Sequence, residues 1–131
     1  MEYEIIYKAL EALKQTTGIQ AFFKDKKPLD GELKFTFNGI SYAFAVEVKQ
    51  ELRTHQLQQM ENYFHSNADF LLIANRIFPK IKEELRQKEI PYLEANGNIY
   101  LKKDGLFLFV DTQKPLEVEK NKGNRAFTKT G

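Results

Sequence analysis

The sequence predicts an α/β domain with a central mixed β-sheet flanked by helices. Three observations carry that expectation. Apolar residues recur at helical spacing over residues 3–15, 54–65 and 78–89. Alternating or continuous apolar runs fill the intervals between them, as strands do. The pairs Asn38-Gly39, Asn96-Gly97 and Asp104-Gly105 punctuate those runs as turns.

Each element follows from its own residues. In the first helix Ile5, Ile6, Ala9, Leu10 and Leu13 share a face, and Gly18 ends the pattern. A basic, turn-rich stretch from Lys24 to Pro28 comes next. Two alternating runs then flank Asn38-Gly39, the strongest local hairpin signal. The helix at 54–65 puts Leu57, Met60 and Phe64 on one face. Phe70 to Ala74 is continuously apolar, as expected of a strand covered on both sides. Pro79 opens the last helix. Runs around Pro91–Leu93, Asn98–Leu101 and Leu106–Val110 close the sheet. Residues 1–111 therefore read as one domain, and the polar stretch 112–131 as a linker or tail.

Composition removes several classes of function. The chain has 131 residues, 42% hydrophobic and 13% aromatic, enough to bury a core. It has no cysteine, which excludes thiol catalysis, zinc ribbons and disulfide scaffolds and fits a cytoplasmic location. Glu2 and Glu4 follow Met1 where a signal peptide needs basic and then apolar residues, and no apolar run could span a bilayer. The net charge of +2 leaves nucleic-acid binding open, because a basic groove and an acidic metal site cancel in the sum.

The hairpin is the informative segment. A two-residue turn at Asn38-Gly39 sets Phe37 opposite Ile40, Phe35 opposite Tyr42 and Leu33 opposite Phe44. Continued, that register sets Gly31 opposite Val46 and Asp30 opposite Glu47. One face is then Leu33, Phe35, Phe37, Tyr42, Phe44, Val46 and Val48, which is core. The other carries Asp30, Glu32, Ala43, Ala45, Glu47 and Lys49. Opposed side chains have Cβ atoms about 4.5–5.5 Å apart, so two carboxylates there repel unless a cation lies between them. Mg²⁺ or Mn²⁺ suits the position, being held by one or two carboxylates plus water and phosphate. Lys49 adds a point charge for phosphate. The alternative is a solvated face of alternating charges, and a bulge anywhere in the hairpin would dissolve the pairing.

Pro28-Leu29-Asp30, the hairpin, and then Val46-Glu47-Val48-Lys49 resemble the PD-(D/E)XK, or restriction-endonuclease-like, superfamily. The resemblance implies that family's core: a helix, a three-stranded meander, a helix and another strand. Only two of the meander's strands are legible here. It implies metal contacts at Asp30, Glu47 and Val48, with Lys49 assisting the attacking water, and hence Mg²⁺-dependent hydrolysis of DNA. It also implies a leading-helix glutamate, either Glu4 or Glu11, and leaves Glu32 as a rival to Asp30. Gln59 and Tyr63, four apart on one helix face, resemble the Gln-x-x-x-Tyr element of RecB-type members, with Gln56 on the same stripe. Many such enzymes cut as homodimers.

The later part has a narrower likeness. Ile77-Phe78-Pro79-Lys80, the run from Ile90 to Leu101 and Gly123-Asn124-Arg125-Ala126-Phe127 resemble AbiEi-like antitoxins and regulators. There a nuclease-like domain precedes a winged helix, which implies a non-catalytic DNA-binding role as the alternative and a C-terminal winged-helix domain outside this chain. Other features carry less. Lys24, Lys26 and Lys27 flank the site's approach and suit a phosphate backbone. Arg76, Lys80, Lys82 and Arg86 read as a second basic patch, offset by Glu83, Glu84 and Glu89 in ordinary surface pairs. His55 and His65 read as exposed helix-end residues, and the Leu106–Val110 run as an exposed edge for protein contacts.

Overall fold

A computed structural model describes residues 3–67 and 69–111; the tail at 112–131, including Gly123–Phe127, lies outside the described residues. The elements are α1 (Tyr3–Thr17), β1 (Phe22–Asp25), β2 (Gly31–Phe37), β3 (Ile40–Leu52), a 3₁₀ turn (Thr54–Gln56), α2 (Leu57–Ser66), β4 (Phe70–Ile77), α3 (Pro79–Gln87), β5 (Tyr92–Glu94), β6 (Ile99–Lys103) and β7 (Leu106–Val110). The seven strands form one sheet in sequence order. β3, β4 and β5 run parallel, and the other neighbours pair antiparallel. The α/β class and the mixed sheet are as expected from the sequence.

Connectivity assigns the helices to faces. Parallel neighbours need crossovers, which are right-handed, so two successive crossovers stepping the same way along the sheet lie on the same side. Accordingly α2 and α3 bury Leu57, Met60, Ile81 and Leu85 against Phe70, Leu72, Ala74 and Tyr92. The opposite face packs Ile5, Ala9 and Leu13 of α1 over Leu33, Phe44, Val46, Leu71 and Ile73. β4, between the two layers, is buried from Phe70 through Ala74. Among the described residues, no helix is long and apolar enough to cross a membrane.

Two elements depart from expectation. β1 supplies a third meander strand where the sequence suggests a turn-rich stretch. It is four residues long and mostly exposed, so it lacks the period-2 burial that marks a strand. The second helix opens with the 3₁₀ turn, where Gln56 Oε1 accepts the Arg53 amide at 2.9 Å. That hydrogen bond absorbs the glutamine placed on the Gln-x-x-x-Tyr stripe.

The start of β2 is tightly built. A Cβ on Gly31 would lie 2.2 Å from the Phe23 ring and 2.5 Å from the Lys24 carbonyl oxygen. Gly31→Ala is therefore expected to cost about 1–3 kcal/mol by forcing β1 off β2, read as a lower midpoint in urea. An unchanged midpoint would mean that β1 yields freely.

Candidate active site

β2 and β3 pair in the register that the turn dictates. Phe37 opposes Ile40, Leu33 opposes Phe44 and Gly31 opposes Val46, with no bulge between. Asn38 (φ 52°) and Gly39 (φ 77°) both take the left-handed conformation that a tight hairpin of this hand requires. Past Gly31 the ladder changes character. The Asp30 amide donates to the Val46 carbonyl at 3.0 Å, and the Asp30 carboxylate then replaces backbone, Oδ2 accepting the Val48 amide at 2.8 Å. That bond holds the Asp30 side chain against β3, beside Glu47.

Lys49 Nζ lies 3.6 Å from Glu47 Oε2, with the two side chains 22% and 13% exposed. Both are withdrawn from bulk water yet reachable by a ligand. Burial pushes the Glu47 carboxyl above the usual carboxylate range, the Asp30 charge pushes it further, and Lys49 pulls back without prevailing. The site thus holds two adjacent acids and one ammonium group in poorly screened surroundings. Asp30→Asn keeps an oxygen for the Val48 amide and removes the charge. It is expected to lower the pH at which Glu47 ionises, followed by the NMR titration of its side-chain carboxyl carbon. No downward movement would separate the two acids electrostatically.

α2 brings Tyr63 to the same cluster, with Gln59 beside it. Gln59 Nε2 donates to Tyr63 Oη at 3.2 Å. The Tyr63 phenol is pushed up by burial first and then by the charges of Glu47 and Asp30, so it lies within electrostatic reach of both acids. Its ring packs on Phe70, 5.9 Å between centroids. Leu29, next to Asp30, tucks into the same apolar layer as Tyr63 and Phe64.

Other expected participants lie elsewhere. α1 covers the face opposite Glu47, where Glu4 pairs with Lys8 at 3.5 Å and Glu11 accepts a hydrogen bond from Gln15, so the geometry brings neither to the acids. Glu32 sits among Lys24, Lys26 and Lys34 at 3.8, 3.2 and 3.8 Å; the hydrogen bond from Lys26 holds its carboxyl below the usual range. Lys24 and Lys26 thus border the site, as the sequence suggests, but through Glu32. His55 is exposed in the 3₁₀ turn, and His65, 3.8 Å from Glu61, is an exposed helix-end residue. The Val48 side chain packs toward the α1 layer, so only its backbone faces the acids.

The expected second basic patch is overturned in part. Lys82 is buried, and its ammonium group donates to Glu94 Oε1 at 3.0 Å and to Asp111 Oδ1 at 2.8 Å. Glu94 Oε2 accepts the Ile77 amide at 2.8 Å, and Asn98 Nδ2 donates to Oε1 at 3.1 Å. Arg86 donates to Tyr92 Oη at 2.7 Å and stacks over Phe109. Arg76 stacks over Phe78. One signal pointed there: Glu94 is the single acid within the apolar run from Ile90 to Ala95, and a buried carboxylate demands a partner. Its partner sits twelve residues away, which no local pattern reveals.

Among the described residues no group of three or more histidine, aspartate or glutamate side chains is placed to hold a metal. A tetrahedral structural zinc site does not fit such a donor set. Two hard carboxylate donors do fit a partly hydrated Mg²⁺ or Mn²⁺, which keeps several waters and takes phosphate oxygens as further ligands. No family model, curated protein or solved structure matches this chain.

Proposed function

We propose that this chain is a nuclease domain of the PD-(D/E)XK kind that hydrolyses DNA phosphodiesters with Mg²⁺ or Mn²⁺. The observation that carries the reading is the convergence of Asp30 and Glu47 beside Lys49, with burial and then the Asp30 charge holding Glu47 above its ordinary pKa. The order α1, β1–β2–β3, α2, β4 also fits a restriction-endonuclease-like core.

The ion, when bound, supplies Lewis-acid neutralisation of the phosphate and activates water. The residues do the rest. Asp30 and Glu47 carry the negative charge that draws the cation, and the bond from the Val48 amide keeps Asp30 from turning away. Lys49 places an ammonium group where a phosphate oxygen or the incoming nucleophile gains charge. Because Gln59 donates to Tyr63 Oη, the phenolic proton is left to donate to a substrate oxygen.

The test is incubation of plasmid and linear DNA with the protein in Mg²⁺, Mn²⁺ or EDTA, beside Glu47→Gln and Lys49→Ala. Cleavage that needs the metal and both side chains is the expected result. Salt-dependent DNA binding that persists in EDTA, with no cutting under any condition, would instead identify a non-catalytic DNA-binding domain.

A further inference from the structure

A cleft of about 450 Å³ opens beside the acid cluster, on the same face of the sheet. Lys26 and Leu29 wall one side and Asn67 the other, while Ala43, Ala45 and Glu32 line the sheet between them. Glu32 and Ala45 are register partners, each two residues along its strand from Asp30 and Glu47. Two strand residues span about 7 Å, so the cleft begins one short step from the acids.

Its chemistry is specific. The alanines give it depth, since any long side chain at those positions would fill it. Leu29 offers an apolar wall, and Lys26 brings positive charge to the rim. Glu32 Oε1 is enclosed and accepts no hydrogen bond. Lys24 and Lys34 Nζ each lie 3.8 Å from this oxygen, which balances its charge but leaves it beyond hydrogen-bond reach, so it can still accept an N–H donor from a ligand. Three ammonium groups around that one carboxylate leave an excess of positive charge, which favours phosphate nearby. A flat group bearing N–H donors and joined to phosphates is a nucleobase. In a duplex the Watson–Crick donors are already engaged, whereas in an unpaired nucleotide they are free.

We infer that this cleft receives an unpaired nucleobase from the strand lying across Asp30 and Glu47, so that the substrate carries a single-stranded segment. This inference rests on the nuclease reading of the acid cluster. Glu32 accepts from the base, Leu29 packs on it, and Lys26 meets the adjoining phosphate. A base-paired nucleotide, with its donors occupied and its partner strand attached, does not enter.

The experiment measures fluorescence anisotropy of the full chain with a labelled single-stranded oligonucleotide and with a hairpin duplex of related sequence, both in EDTA. The wild type is expected to prefer the single strand by about tenfold, the effect of placing one base. Ala43→Phe, which fills the cleft, is expected to abolish that preference and leave duplex binding and the melting temperature unchanged. Glu32→Gln is the second variant and keeps the shape. Losing a negative charge strengthens phosphate binding to both probes, so the readout is their affinity ratio, expected to fall about threefold. Equal binding of both probes by the wild type overturns the inference, as does an unaltered ratio in a folded Ala43→Phe or in Glu32→Gln. Cleavage in Mg²⁺ is scored separately. A protein that binds single strands through the cleft and never cuts them overturns the nuclease reading alone. One that cuts DNA while both variants keep the wild-type ratio overturns the cleft alone.

Discussion

Glu47→Gln is expected to lower Mg²⁺-dependent cleavage by about 10³-fold while raising the melting temperature of the metal-free protein. The loss follows from the proposed role, because Gln keeps the shape and removes the charge that draws the cation. The gain follows from the protonation balance. Burial and the neighbouring Asp30 charge raise the folded pKa of Glu47 above its unfolded value. Such a carboxyl holds its proton more tightly when folded, so its contribution to stability is present at low pH and is lost as pH rises through the folded pKa. At pH 8 the wild type bears that cost and the variant does not. Below about pH 4, where Glu47 is protonated in both states, the difference should vanish. Lys49 loses its partner, which opposes the gain, but its pull on Glu47 is outweighed by burial and the Asp30 charge. Paired thermal melts at pH 8 and pH 4, with cleavage assays at pH 8, check both halves. A lower melting temperature at pH 8 would mean that the Lys49 ion pair outweighs the repulsion, and undiminished cleavage would sink the cation-site reading. Lys49→Ala separates the roles: cleavage should fall about 10²-fold or more with metal binding retained.

The largest effect on stability is expected two strands across the sheet, at Glu94 of β5, which is level with Lys49 through Ala74 of β4. Lys82 and Glu94 are 8% and 3% exposed, and their bond is one of several that converge on the Glu94 carboxylate. Burial alone would push the lysine toward neutrality. The hydrogen bonds to Asp111 and Glu94 more than offset it, so the ammonium group stays charged to a pH above the ordinary lysine range. The stability it contributes is therefore constant through neutral pH and lost only as pH rises through that raised value. Lys82→Met leaves a buried carboxylate without its counter-charge, at a cost of about 3–5 kcal/mol. For a domain of this size that lowers the melting temperature by roughly 10–20 °C. Adding Glu94→Gln to Lys82→Met removes the stranded charge and keeps an acceptor for the Ile77 amide, so the double variant should recover part of the loss. Equal melting temperatures for wild type and Lys82→Met would show that the pair contributes nothing net. A double variant no better than the single would place the cost in packing.

The hairpin site and the Lys82–Glu94 cluster differ in how far they could be read beforehand. At the hairpin, Asn38-Gly39 imposes one turn, and strict alternation carries that register through seven residue pairs, to Gly31 opposite Val46, without further information. Asp30, Glu47 and Lys49 were therefore legible as one cluster, and Gln59 and Tyr63 as one helix face. The bond by which Asp30 replaces backbone at Val48 was not legible, because it begins where β2 stops being regular. Glu4 and Glu11 stayed open for a related reason. A helical pattern shows which residues share a face, and it does not show which side of the sheet the helix covers. β1 was missed because a short exposed edge strand buries too little to leave a pattern.

By itself, then, the sequence determined the α/β class, the hairpin register and the juxtaposition of two acids and a lysine, all consequences of periodicity and one local turn. Only the tertiary structure decided what surrounds them. It turned Lys82 from a surface charge into the partner of Glu94, drew three lysines around Glu32, and left a cleft between that carboxylate and the turn after α2. The physical reason is range. Backbone geometry propagates along a strand or helix, whereas burial and charge pairing depend on which distant elements are packed together.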